Sequence, residues 1–182
     1  SASTNAFTSW SATIAANTPA SFTGGASSTM ALDGTSVQAD ADGTATLTLG
    51  GNGIYSAISA ATPTGSTSFS AANGDTLQRG FSGATTIALN KSQTTIGTFA
   101  NPTYFGFEYQ TFGAWGAYGN ATTPAYAVSV GSPAPVSAIP AVGSLTFTGG
   151  ATGYYADPGK FGYVTNANMV AVVTFDNRSV AF

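Results

Sequence analysis

The sequence predicts an all-β fold: an antiparallel up-and-down β-barrel of about eight strands, preceded by an extended N-terminal segment. Three observations carry this. Short runs of β-branched and aromatic residues alternate with polar ones at period two. Clusters of Gly, Asn, Asp and Pro punctuate the chain at short spacing. No helical periodicity extends beyond two turns. Strands in series joined by tight turns pair antiparallel with their neighbours. The 23 glycines favour a barrel, whose small radius demands kinks. A chain of 182 residues is read as one domain, with residues 1–25 as the extended segment and 26–182 as the barrel.

The elements follow in order. Residues 1–25 carry Phe7, Trp10, Ile14 and Phe22 among polar neighbours and read as extended. Asp33-Gly34 is a turn, and Asp40-Ala41-Asp42-Gly43 is read as the turn of a hairpin between residues 35–39 and 44–49. Leu47 and Leu49 alternate with Thr and define one apolar face. Further strands are expected over residues 54–61, 66–71, 75–81, 84–89 and 94–99, with turns at Asn73-Gly74 and at Asn90-Lys91-Ser92-Gln93. After Asn101-Pro102, residues Phe105, Phe107, Tyr109 and Thr111 share one parity and predict an aromatic strand, with Phe112 breaking the alternation. Strands over 126–130, 144–148, 169–175 and 178–182 complete the chain, with Trp115, Phe107, Leu145, Phe147, Val172 and Phe175 as expected core.

Composition narrows the function. Charged residues make up 6% of the chain, against about 25% in an average soluble domain. The four cations, Arg79, Lys91, Lys160 and Arg178, are scattered, which argues against nucleic acid as a partner. Cysteine and histidine are absent, so disulfides, thiolate or imidazole metal sites and histidine-based catalysis are excluded. No apolar run reaches the roughly eighteen residues of a transmembrane helix. The small, polar, weakly charged composition, and a start at Ser1 that resembles a mature end after signal removal, place the protein outside the cell or on its outer surface.

Candidate chemistry is sparse. Asp40 and Asp42 supply two carboxylates where calcium needs about six oxygen ligands, so the turn reading stands. Tyr104, Tyr109, Trp115, Tyr154 and Tyr155 are the candidate ligand-lining aromatics; barrel filling is the competing reading. Glu108 is the one acid within an expected strand, either exposed or paired with Arg79 or Arg178. A glycosidase needs a second acid across a cleft, and none is identifiable. No enzyme activity and no cofactor are expected.

The chain resembles the β-barrel domain of transferrin-binding-protein-B-like surface proteins of Gram-negative bacteria. The resemblance rests on the aromatic stretch ending in Phe112-Gly113-Ala114-Trp115, then Ala138-Ile139-Pro140 with Gly143-Ser144-Leu145-Thr146-Phe147-Thr148-Gly149, then Gly153-Tyr154-Tyr155, and last the pair around Val172-Val173-Thr174-Phe175-Asp176-Asn177-Arg178-Ser179-Val180-Ala181-Phe182. It covers residues 104–182. It implies an up-and-down barrel at the cell surface, in a family whose members bind host iron proteins or haem. From the residues themselves, the expected function is a non-catalytic surface subunit that self-assembles as a filament or coat. Its partners are copies of itself or another surface protein, and Phe7, Trp10 and Ile14 of the N-terminal segment are the candidate assembly contacts. A ligand-binding surface module is the alternative.

Overall fold

A computed structural model describes residues 13–30, 37–80, 83–119, 124–132, 136–155 and 163–182. It is all-β, built on a nearly closed, antiparallel up-and-down barrel-like sheet of nine strands. These are β1 (Pro19–Met30), β2 (Val37–Leu49), β3 (Tyr55–Ala61), β4 (Ser66–Ser70), β5 (Thr76–Gly80), β6 (Thr85–Leu89), β7 (Thr95–Ala100), β8 (Gln110–Ala117) and β9 (Pro124–Gly131). Their order in the sheet is β4-β3-β2-β1-β9-β8-β7-β6-β5. A separate sheet holds β10 (Ser144–Tyr155), β11 (Tyr163–Thr174) and β12 (Ser179–Ala181) in that order.

The strand directions explain how the barrel closes. Nine strands in a row make eight ladders, and every ladder is antiparallel. Eight reversals bring β5 back to the direction of β4. The two are joined only by residues 71–75, so together they form one strand with a bend. Its first half pairs with β3 and its second with β6. The nine segments therefore amount to eight strand directions, the even number an all-antiparallel barrel requires. Asp75 braces the bend: its carboxylate accepts from the Ser70 amide at 2.8 Å and from the Lys91 amide at 2.7 Å.

Alternation along each strand fills the interior. Phe22, Ala45, Leu47, Tyr55, Ile58, Phe69, Phe99, Trp115, Val128 and Val130 are all buried in one cluster. A polar relay crosses this apolar core. The Tyr55 hydroxyl donates to Thr111 Oγ1 at 3.1 Å, and Thr111 donates to the Ala100 carbonyl at 3.1 Å. The Tyr55 amide donates to Thr86 Oγ1 at 3.2 Å; Thr86 donates to Asn101 Oδ1, and Asn101 Nδ2 to the Gly83 carbonyl. These four side chains are thus satisfied without any charge, whereas Thr85 Oγ1 and Trp115 Nε1 are buried with no hydrogen-bond partner.

Several expectations are corrected. Asp40-Ala41-Asp42-Gly43 is not a turn but lies within β2, in register with β1 through Gly43 opposite Gly24. The glycine there serves close packing: a Cβ on Gly43 would stand 2.9 Å from that of Ala26. The expected turn at Asp33-Gly34 lies outside the described residues. Strand β1 begins at Pro19, inside the stretch read as an N-terminal segment. The aromatic strand over 105–111 is replaced by a single helical turn, α1 (Pro102–Phe105), and β8 begins only at Gln110. Strands β10, β11 and β12 do not join the barrel sheet. Of the expected core, Trp115 is buried and Phe107 and Phe175 are half-buried, whereas Leu145, Phe147 and Val172 are exposed. Three strands cannot curl into a wall that covers its own face.

Burial raises the Tyr55 phenol well above its usual value, against a smaller opposing effect of the Thr111 hydrogen bond. The folded state therefore keeps the proton at pH values where the unfolded chain releases it. The resulting stability is complete below pH about 10 and is lost above it, by about 1.4 kcal/mol per pH unit for this group. Tyr55→Phe should cost about 1 kcal/mol at pH 7. Urea unfolding at pH 8 and pH 11 should show a smaller loss between the two conditions for the variant than for the wild type.

Candidate functional site

The connection from β7 to β8 builds an aromatic ledge. Pro102 stands at the start of α1, where its fixed φ suits the first turn and its missing N–H is no loss. Gly106, at φ 70°, ends the turn and donates back to the Pro102 carbonyl. This cap throws the aromatic run onto the surface. Phe105 stacks on Phe107 with ring centres 5.2 Å apart, Tyr104 meets Phe105 edge-on at 5.1 Å, and Phe112 closes on both phenylalanines at 6.0 Å. Tyr104 keeps 59% of its surface exposed.

Beside the ledge lies an open depression of about 560 Å³, bordered by Gly24, Phe107, Glu108, Tyr109, Ser129 and Ser132. Glu108 brings the one ionisable acid there, and its side chain is exposed. Of the two cations offered as partners for it, Arg79 donates to the Asn52 carbonyl. The Glu108 carbonyl accepts from the Ile14 amide at 2.8 Å. Ile14 packs half-buried against the barrel core, and Ala16 bridges to Leu49. The chain from residue 13 onward is thereby fastened to its own barrel, with Ile14 half-buried there. Phe7 and Trp10 lie outside the described residues.

Of the aromatics singled out from sequence, the structure brings Tyr104 and Tyr109 to the ledge and its depression. Trp115 is elsewhere, 4% exposed inside the barrel, stacked between Phe99 at 6.5 Å and Tyr126 at 5.4 Å. Tyr154 and Tyr155 end β10, in register with Val164 and Tyr163; their side chains lie outside the described residues. Phe105 and Phe112 were missed as ledge residues. The signal was present: Pro102 and Gly106 frame a stretch of one helical turn, which a strand reading overrides.

A third surface is the apolar face of β10–β12. Pairing puts Leu145 opposite Val173, Phe147 opposite Ala171, and Val173 opposite Val180, all on one face. Leu145, Phe147 and Val180 are each about half exposed, at 50%, 51% and 51%. The described strands of this sheet carry no charged residue.

Trp115→Ala should cost about 3–5 kcal/mol by emptying the core, whereas Tyr104→Ala on the ledge should change stability by less than about 0.5 kcal/mol. Chemical denaturation of the two variants separates core from surface. No family model matches this sequence, and neither a curated protein nor a solved structure matches it.

Proposed function

We propose that this chain is a non-catalytic structural subunit that acts outside the cell by associating through β-sheet surface. The observation that carries the reading is the apolar face of β10–β12, where Leu145, Phe147 and Val180 stand half exposed around a buried Ala171 on strands that carry no charge. An apolar sheet face of this kind marks an interaction surface. The low charge of the whole chain, 11 ionisable Lys, Arg, Asp and Glu side chains in 182 residues, leaves little repulsion between copies. The filled barrel interior supports a scaffold role over that of an internal ligand container. With Ile14 fastened to its own barrel, the reading rests on the C-terminal sheet in place of that contact.

A second reading, a surface module for haem or a host iron protein, is favoured by the exposed ledge of Tyr104 and Phe105. Binding abolished by Tyr104→Ala with Phe105→Ala, and indifferent to changes on β10, would establish it over the first.

Sedimentation equilibrium of the full chain should show concentration-dependent association. Phe147→Ser should weaken it about tenfold or more while leaving monomer stability within about 0.5 kcal/mol. A wild-type chain that stays monomeric, or a variant that associates equally well, defeats this reading.

A further inference from the structure

The depression beside the ledge is made by strand register on the outer face of the barrel. Thr23 of β1 and Gln110 of β8 both stand opposite Gly131 of β9, so two polar side chains flank a position that has none. Ser129, two residues along β9 and on the same face, stands opposite Phe112 of the ledge. Gly131 serves the packing: a Cβ there would stand 2.9 Å from the Tyr109 carbonyl oxygen. Gly24 is confined in the same way, with its Cβ position 2.1 Å from the Ser129 carbonyl oxygen. Together with Gly106 they line the depression with backbone where side chains would otherwise stand. Its volume of about 560 Å³ lies within the roughly 300–1,000 Å³ of small-ligand sites.

The lining has a definite chemistry. Phe107 and Tyr109 supply aromatic surface, and Phe107 is held in place by Phe105 stacked at 5.2 Å and Phe112 edge-on at 6.0 Å. Thr23, Glu108, Gln110 and Ser129 are exposed, and among the described residues none of their side chains is hydrogen-bonded within the protein. Two hydroxyls, an amide and a carboxylate are thus available to a ligand as donors and acceptors. No cation lines the depression, and Glu108 is its one charge.

We infer that this depression is a binding site for a neutral saccharide. A sugar ring presents an apolar face of C–H groups, which suits the Phe107 ring, and a rim of hydroxyls, which suits neutral donors and acceptors with one carboxylate among them. An anionic ligand would meet Glu108 and no compensating cation. A cationic ligand would find that one carboxylate, but neutral polar side chains outnumber it three to one. An extended peptide has no strand edge to join here, because β1, β9 and β8 are each paired on both sides. The site lies on the barrel and uses no residue of β10–β12, so it stands apart from the proposed self-association.

The test titrates the full chain with cellohexaose, maltohexaose and chitohexaose and follows amide chemical shifts by NMR. At least one should shift Thr23, Gln110 and Gly131 in a saturable way, with a dissociation constant of about 1 mM or tighter. Phe107→Ala should weaken that binding about tenfold or more, and Glu108→Gln, a change at an exposed side chain that leaves the fold intact, about threefold or more. An oligogalacturonate of the same length should bind at least about tenfold more weakly, since its carboxylates meet Glu108. No shift with any of the three neutral sugars at about 10 mM overturns the inference. Binding indifferent to both substitutions places the sugar elsewhere and overturns the site. Oligogalacturonate or choline bound as tightly as the best neutral sugar overturns the ligand class, choline being the cation that aromatic surface and a carboxylate would select.

Discussion

An all-antiparallel sheet closes only when its strand directions are even in number, and this barrel meets that condition at one place, the bend between β4 and β5. The chain enters the bend paired with one edge of the sheet and leaves it paired with the other. Everything inside depends on that passage. Phe69, just before the bend, reaches the centre of the core and is fully buried, together with Tyr55 of β3 and Phe99 of β7. Without the bend, the β3 side and the β6 side would be two edges of an open, strongly apolar sheet, a form prone to pairing with other chains. A short turn of 3-10 helix at Ala71–Asn73 and the two amides held by Asp75 make the change of neighbour.

The scarcity of charge shapes the interior as much as the surface. A barrel this narrow brings backbone and side-chain polar groups into the apolar centre, and ion pairs there carry a heavy desolvation cost. Neutral donors and acceptors take their place. Tyr55, Thr86, Asn101 and Thr111 are all buried, and each is hydrogen-bonded. Tyr55 is central because it uses both ends, its amide towards β6 and its hydroxyl towards β8, and so ties β3 to two strands that it does not pair with.

The two exposed apolar regions have different origins. The ledge is local: a proline and a glycine frame one helical turn, and the aromatic side chains that a strand would have divided between two faces gather on one. The face of β10–β12 is a matter of architecture. Its residues are those of a core wall, and they are exposed because the sheet has three strands where the barrel has nine. The phenylalanine of the Phe-Thr-Gly-Gly-Ala stretch common to β1 and β10 is buried in one setting and exposed in the other: Phe22 is 3% exposed and Phe147 51%.

Much of the barrel was legible in the sequence because the alternation of apolar and polar residues is a property of the strand itself. Leu47 and Leu49, Ile87 and Leu89, and the turns at Asn73-Gly74 and Asn90-Lys91 declare strands and their ends without reference to any neighbour. Gly43 shows where such reading stops. A glycine beside aspartate signals a turn, but it equally permits close packing within a strand, and only the approach of Ala26 decides between them. Phe147 shows the same limit for burial. Its alternation with Leu145 specifies an apolar face, but whether that face is covered depends on how many strands share its sheet. Trp115 and Tyr104, alike as aromatic candidates in sequence, part for the same reason: one points into a filled barrel, and the other rides on a helical turn outside it. Local pattern determined which residues share a face; long-range pairing decided what, if anything, lies against it.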